Sequence, residues 1–550
     1  MEAVSLILVM LVVVLASSML SRMLPASLPV TLPLLQIILG AVVGLVSDWR
    51  LQLDPQIFFL LFLPPLLFLD GWRIPKECLA HERGLVMGLA VGLVVFTVLG
   101  AGYFIHWLLP VIPLGVAFAL AAVISPTDPV AVSAIAARVP VPKRLMNILE
   151  GESLLNDASG LVCLRFAVAA VLTGNFALSE ALLDFFHLAL GGIIIGALIA
   201  WFISFAKLWV SKHFGEDTAA QILISLLLPF MAYLAAEHFH CSGILAAVAA
   251  GFVMSRTELS GQVMAITRLQ RQSIWDTLKY ALNGLMFVLL GEQLPTIIGQ
   301  VGALDDLGTL LDLLGCVLLI NLALLVLRFI WVLMSLRFTL FAGNDAKHFT
   351  WFKAARISLA MSVAGVRGAI SLAGIMTLPL YISLGYPFPA RDLAVFLATG
   401  VIIMSLVLAG MLLPWLVKNL LLPHELEADT REERALDQAA EAAIQAIEKE
   451  LHKVLHASAR ENSSDVTSTY MEIAARVTDS YRERIEGHAA PLETQQMALA
   501  SAEIERKLLL IGLHAERNEL FRLARTKRLG ELQTRKLVRR IDLIEAQYLH

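Results

Sequence analysis

Charge is what this sequence has least of. Only 16% of its 550 residues are Asp, Glu, Lys or Arg while 58% are hydrophobic, and the mean hydropathy is +0.75. An ordinary soluble protein is about 25% charged and about 45–50% apolar, so the shortage excludes a soluble globular chain and points to a membrane protein. Surplus positive charge is missing too. The 42 basic and 46 acidic side chains leave a net charge of -4, which gives no general attraction to nucleic acid and excludes it as a partner. Cysteine is scarce: Cys78, Cys163, Cys241 and Cys316 lie far apart with no C-x-x-C pair, so they read as small buried hydrophobes and not as a metal site or disulfide framework. Also absent are a basic region before the first apolar run and a cleavage site after it, so that run is expected to be a retained helix. Strand alternation of the barrel type is lacking. So is any histidine or nucleophile cluster, since His238 and His240 sit near a helix end; neither an enzyme nor a cofactor is expected.

What is present is a series of apolar runs. A helix needs about 20 apolar residues to span the hydrocarbon, and thirteen such runs can be read: Val4–Leu20, Leu28–Val46, Gln56–Leu69, Leu85–Leu109, Leu114–Ala137, Leu154–Leu172, Asp184–Trp209, Ala220–Glu237, Gly243–Met254, Ser273–Leu290, Leu310–Leu336, Ala355–Tyr381 and Leu393–Val417. The expected fold is therefore an all-α polytopic membrane protein. Short loops with Lys and Arg alternate with loops that have almost none. One set carries Arg22; Arg73, Lys76 and Arg83; Arg138, Lys143 and Arg144; Lys207 and Lys212; Arg256, Arg268 and Arg271; and Arg337, Lys347 and Lys353, and the other little more than Arg50 and Arg391. The positive-inside rule then places the basic loops and the C-terminal tail in the cytoplasm and the N-terminus outside. Composition changes near Pro423, beyond which about half of all charged residues are concentrated. Two regions follow: 1–423, a transmembrane domain, and 424–550, a helical cytoplasmic tail. Within the tail, Thr430–His456 is amphipathic, and a basic stretch runs from Arg522 to Arg540; no nucleotide loop, calcium loop or heptad series names a ligand for it.

Ionisable groups at membrane depth are costly unless paired or wet, which makes each a candidate for function. They are Asp70, Asp128, Glu150, Glu152, Asp157, Arg165, Arg328 and Arg367. The fifth run reads S-P-T-D-P-V at Ser125–Val130. Two prolines three apart remove donors and clash with the preceding turn, so the helix should open beside Thr127 and Asp128. The sixth run enters through E-G-E-S-L-L-N-D at Glu150–Asp157, with Ser153 and Asp157 on one face and Asn156 adjacent to it. These are hard oxygen ligands, suited to a hard cation such as sodium. Helix capping by Ser153 or Asn156 is the competing reading of that segment. The twelfth run contains A-G-V-R-G-A, where Gly365 and Gly368 bracket Arg367 and weaken the helix. One interrupted helix in each half points to inverted repeats with an ion site between them.

These segments resemble the monovalent cation:proton antiporter-1 family, the sodium/proton exchangers that include bacterial NhaP and animal NHE proteins. The resemblance rests on T-D-P-V-A-V at Thr127–Val132, G-E-S-L-L-N-D-A at Gly151–Ala158 and G-V-R-G-A-I-S-L-A at Gly365–Ala373, with L-P-P-L-L at Leu63–Leu67 as weaker support. It covers the membrane region and leaves the tail unexplained. It implies an NhaA-like fold with two crossed, unwound helices, in a homodimer in the bacterial inner membrane, serving pH and sodium homeostasis by exchange of Na+, or of Li+ or K+, for H+. By motif match, Asp157 would bind either the cation or the proton, with Asn156, Asp128, Thr127 and Ser153 completing the sodium ligands. Glu152 and Arg328 would form a structural ion pair, and Arg367 would hold the unwound part of the twelfth helix. The Asn156–Asp157 pair resembles the electroneutral branch. One departure stands out: many members carry Glu where this chain has Leu69, and Asp70, one residue later, is carried as a further candidate. Two other functions compete with sodium/proton exchange. One is K+/H+ antiport; the other is a gated cation channel, for which no tandem carbonyl filter is present.

Overall fold

The computed structural model describes residues 2–23, 31–46, 55–73, 83–129, 132–133, 143–173, 178–215, 217–258, 265–301, 307–340, 351–383 and 386–417, with helical pieces between 439 and 545. The chain divides into two compact units, Met1–Leu422 and Pro423–His550.

In the first unit each of the thirteen apolar runs falls on a helix. The elements are α1 (Glu2–Met23), α2 (Leu32–Val46), α3 (Pro55–Arg73), α4 (Arg83–Met87), α5 (Leu93–Leu108), α6 (Leu114–Ile124), α7 (Lys143–Thr173) and α8 (Leu178–Phe214). They continue as α9 (Thr218–His238), α10 (Gly243–Glu258), α11 (Ala265–Gln300), α12 (Leu307–Leu340), α13 (Trp351–Val363), α14 (Ala369–Met376) and α15 (Arg391–Val417). Among the described residues six stretches are long and apolar enough to cross a membrane as single helices: Gly84–Leu108, His187–Phe214, Thr218–His238, Thr267–Gln300, Leu310–Ser335 and Arg391–Val417. The remaining spans are shorter, and two of them are interrupted.

Three local features depart from the sequence reading. The sixth span starts at Lys143 rather than Leu154, because a helix continues on hydrogen bonding after its apolar run has ended. Glu150, Ser153 and Asn156 therefore sit well inside it, and the capping reading does not hold. The twelfth run was expected to remain apolar helix to Tyr381. Instead α14 ends at Met376 and a short antiparallel pair follows, β1 (Tyr381–Ser383) with β2 (Tyr386–Pro387). Pro379 and Pro387 cannot continue a helix. The fourth span contains a π turn, Gly88–Gly92, joining α4 to α5; the Trp331 indole N–H donates to the Gly88 carbonyl at 3.0 Å. The end of the fifth run beyond Ser133, Cys78, and most of the tail's basic stretch from Arg525 to Arg540 lie outside the described residues.

Helices pack in two groups. In one, α2 lies along α11, α10 lies between α3 and α8, and α1 and α9 flank them. Lipid supplies no hydrophobic force between helices, so association relies on close van der Waals contact through small residues. Gly40 and Gly44 of α2 rest directly on the Val288 and Glu292 carbonyls of α11, and Gly192 and Gly196 of α8 rest on the Ser242 and Ala246 carbonyls. The second group comprises six spans: α4–α5, α6, α7, α12, α13–α14 and α15. Here α6 is sandwiched by α5 and α7 and also touches α15, while α12 packs on α13 and α15. Within α6 only Leu114, Gly115 and Phe118 escape full burial. Both interrupted spans belong to this group.

Candidate functional site

The fifth span breaks after Ile124. Ser125–Asp128 is non-helical, and the helical turn resumes at Pro129. In the twelfth span α13 ends at Val363 and α14 begins at Ala369, leaving Ala364–Gly368 unwound. The two breaks meet: the Asp128 backbone N–H donates to the Val366 carbonyl at 2.7 Å. Unwound backbone at this depth is tolerated because it is buried in protein; Ser125, Thr127, Val366 and Arg367 are all buried.

Charges hold the crossing. Arg367 is 4% exposed, and its Nε donates to the carbonyl of Ile124, the last residue of α6, at 3.0 Å. Its Nη1 donates to the Gly365 carbonyl at 2.7 Å, and its backbone N–H to Ser405 Oγ on α15 at 3.1 Å. A cation thus sits at the negative end of α6. Asp128 lies against Gly368, the cap of α14, where a methyl group would collide with its carboxylate. An anion thus sits at the positive end of α14.

α7 passes alongside. Gly160 lets it approach Pro126 and the Ala122 carbonyl at the break. One to two turns earlier, Glu152, Ser153, Asn156 and Asp157 are all buried. The guanidinium of Arg328 on α12 forks onto Glu152, with Nη1 on Oε1 and Nη2 on Oε2 at 2.8 Å. Its Nε donates to the Met361 carbonyl at 3.1 Å. Thr127 Oγ1 donates to Glu152 Oε1 at 3.0 Å, and Asn156 Nδ2 donates to Thr127 Oγ1 at 3.0 Å. Asp157 is 4% exposed, and the charged groups that act on it most are three other carboxylates, Asp128, Asp70 and Glu152. A bare charge there faces burial and like-charge repulsion together.

The structure therefore gathers Thr127, Asp128, Glu152, Ser153, Asn156, Asp157, Arg328 and Arg367 around one crossing. Asp70 is placed differently. It is half-buried at the end of α3 and pairs with Lys279 of α11 at 3.2 Å, next to an Arg73–Asp276 pair at 2.5 Å. Glu150 is in electrostatic range of Lys279, Asp70 and Arg73. Arg165 lies 3.8 Å from Glu237 and is more than half exposed. Sequence reasoning misses Lys279, although it lies inside the tenth run where any ionisable residue is a candidate. It also misses the buried Ser125 and Ser405, hydroxyl residues with no signal in composition.

Comparison with known proteins gives the context. Residues 7–419 match the family described as sodium/hydrogen exchanger, transmembrane. An uncharacterized Na+/H+ exchanger of Escherichia coli, YjcE, is 39% identical over 515 residues, covering 92% of each chain. A sodium, potassium, lithium and rubidium/H+ antiporter of Bacillus pumilus is 36% identical over 510 residues, 91% of this chain and 72% of that one. In fold the chain is similar to the sodium proton antiporter MjNhaP1 of Methanocaldococcus jannaschii, with a TM-score of 0.56 at 21% identity, over 76% of this chain and 99% of that one. Together with the polytopic helical fold, these likenesses describe a multi-pass membrane transporter and not an enzyme: the chain belongs to the sodium/hydrogen exchanger family.

Proposed function

We propose that the protein exchanges one Na+, or another monovalent cation, for one H+ by alternating access, with Asp157 holding either ion in turn. The observation that carries this is a carboxylate buried among other carboxylates. Moving it bare through the apolar barrier costs several kcal/mol. A proton or a cation removes that cost, and the group cannot hold both, so exchange is obligatory and slippage expensive. Asp128 and Ser153 supply further oxygens. Arg367 and the Glu152–Arg328 pair hold the crossing in shape while the second helix group moves. The relatives in the two Bacillus species are named for sodium, potassium, lithium and rubidium, which supports a site open to more than one alkali cation. The working form is a homodimer in the bacterial inner membrane, with the basic loops and tail in the cytoplasm.

Asn156 does not titrate, and Asp128 faces a helix N-terminus that favours its charge. A single exchanging carboxylate makes transport electroneutral. Vesicles holding the purified protein and an internal pH dye test both claims. Asp157→Asn should abolish cation-driven pH change while leaving a folded protein; near-normal turnover would remove the central claim. A potassium-valinomycin potential of roughly 100 mV, worth about 2.3 kcal/mol per charge, should leave the final pH difference mirroring the sodium ratio alone. A potential-dependent endpoint would require a second titrating group.

A further inference from the structure

Ion pairs hold each helix group together from within. Lys279 with Asp70, and Arg73 with Asp276, join α11 to α3 inside the first group, and the buried Arg328–Glu152 fork joins α12 to α7 inside the second. The Arg165–Glu237 pair is of another kind, because it joins the two groups. Arg165 belongs to α7, which otherwise meets the first group through α3 and α10. Glu237 belongs to the last turn of α9, and the charged atoms are 3.8 Å apart. Arg165 stands eight residues beyond Asp157, about 12 Å along the helix axis at about 1.5 Å per residue, at the end of α7 that the positive-inside rule puts outside.

The two members are held differently. Glu237 is fixed by the corner between α9 and α10, where the Gly243 N–H donates to its Oε1 at 3.3 Å. In the same corner the Cys241 N–H donates to the Ala236 carbonyl at 2.8 Å and the Ser242 N–H to the Leu188 carbonyl of α8 at 3.0 Å. Tyr233 packs on Gly243 so closely that a methyl group there would strike its ring. Arg165 reaches this corner on a long side chain that is 55% exposed, against 38% for Glu237. A pair so open to water is worth no more than about fivefold in an equilibrium constant, whereas a buried pair is costly to break. The costly pair thus lies within a group, and the cheap one lies where the groups must part if one moves against the other. We propose that Arg165 and Glu237 form a latch between the helix groups: it is made in the arrangement the structure shows, breaks when the second group moves, and tilts the balance toward the state closed on the outer side. This rests on the reading of the protein as an alternating-access exchanger. A weak pair suits the task, because a latch worth several powers of ten would trap one state and stop the cycle.

Glu237→Gln keeps an acceptor for Gly243 and removes the charge, and Arg165→Gln removes the other charge. Half-saturating Na+ is measured at each face of vesicles in which the full-length protein has a known orientation. Each variant should lower it at the outer face and raise it at the inner face by about two- to fivefold, with little change in melting temperature. The Arg165→Gln/Glu237→Gln double variant should match either single one, since only one interaction is lost. The charge swap Arg165→Glu/Glu237→Arg should return toward wild type. Choline chloride at about 1 M, where the screening length is about 3 Å, should move wild type toward the variants and leave the variants where they are. Shifts of the same sign at both faces, or no shift in either single variant, overturn the proposal. A second measurement does not depend on affinity. Bridging Arg165→Cys/Glu237→Cys with a short bifunctional thiosulfonate should stop exchange until the bridge is reduced, with the single-cysteine variants, treated alike, as the control for native thiols. No cation-driven pH change in wild-type vesicles would defeat the exchanger reading and the latch with it, whereas full exchange through a bridged pair would defeat the latch alone.

Discussion

Removing both partners of the Glu152–Arg328 pair should restore stability without restoring wild-type sodium dependence. Glu152 and Arg328 are 1% and 2% exposed, and they join α7, α12 and the end of α13 through the fork and the Arg328–Met361 hydrogen bond. Gly365 packs flat on the guanidinium, with no room there for a side chain. Arg328→Met strands a buried carboxylate on the Thr127 hydroxyl alone. Breaking a buried pair in this way costs about 3–5 kcal/mol. At about 2–3 °C per kcal/mol for a chain larger than a typical domain, the melting temperature should fall by roughly 5–15 °C. Glu152→Leu leaves an unpaired guanidinium and should cost a similar amount. Replacing both charges by apolar groups of similar volume is commonly neutral or stabilising by about 1–4 kcal/mol, so Glu152→Leu/Arg328→Met should melt near wild type or above it. Its sodium dependence should nonetheless depart from wild type, because the Thr127 hydroxyl beside Asp128 has lost its acceptor. Intrinsic fluorescence melts, for which the chain has nine tryptophans, and vesicle assays on the same preparations measure the two properties separately. Single variants that melt like wild type, or a double variant as unstable as the sum of the singles, would refute the pairing energetics. Recovery of wild-type sodium dependence in the double variant would refute the link to transport.

Gly368→Ala should cut exchange at least tenfold, since a Cβ there runs into the Asp128 carboxylate, whereas Gly374→Ala on the same short helix meets only side-chain methyls at 3.4 Å or more and should transport normally. Gly40→Leu should destabilise the protein by several kcal/mol, read as a lowered melting temperature, because the α2–α11 contact is backbone on backbone at that point. Truncation after Leu421 should retain exchange and shift its pH dependence or the stability of the dimer; complete loss in a well-folded truncation would make the tail part of the transport machinery.

The parts of the fold that composition encodes were legible. Each apolar run marks a helix, and the breaks sit where Pro126 and Pro129, or Gly365 and Gly368, make a continuous helix costly. Where hydrophobicity and hydrogen bonding part company, the reading slipped. Apolarity reports hydrocarbon depth, so it placed the start of α7 eleven residues late, at Leu154 instead of Lys143, and it carried the twelfth span past Met376 into the β1–β2 pair. Pairings across the chain were legible only through the family's motifs. Lys279 reaches Asp70 from 209 positions away, and nothing in either segment names the other. The Glu152–Thr127–Asn156 chain likewise exists only because the break in the fifth span lies on α7, a closeness permitted by Gly160 and invisible in composition.

The two breaks solve one electrostatic problem reciprocally. Opening a helix in the middle of a membrane exposes carbonyls at one new end and N–H groups at the other, each an uncompensated partial charge in a medium with little screening. Here the carbonyl end of α6 receives the guanidinium of Arg367, which comes from the twelfth span. The N–H end of α14 receives the carboxylate of Asp128, which comes from the fifth. Each interrupted span thus carries a charge opposite to that of its partner's new helix end. On the function proposed above, the same exchange sets the charge available for transport. The charges of Arg367 and Asp128 are offset by helix ends, and those of Arg328 and Glu152 by each other. Among the buried ionisable groups at the crossing that leaves Asp157, whose strongest electrostatic neighbours are carboxylates. A fixed counter-charge beside it would hold it ionised in every state and let it cross without cargo. If Asp157 is the exchanging carboxylate, as proposed above, its neighbours' charges are spent on architecture, so the cation or proton supplies the compensation and obligatory exchange follows from that.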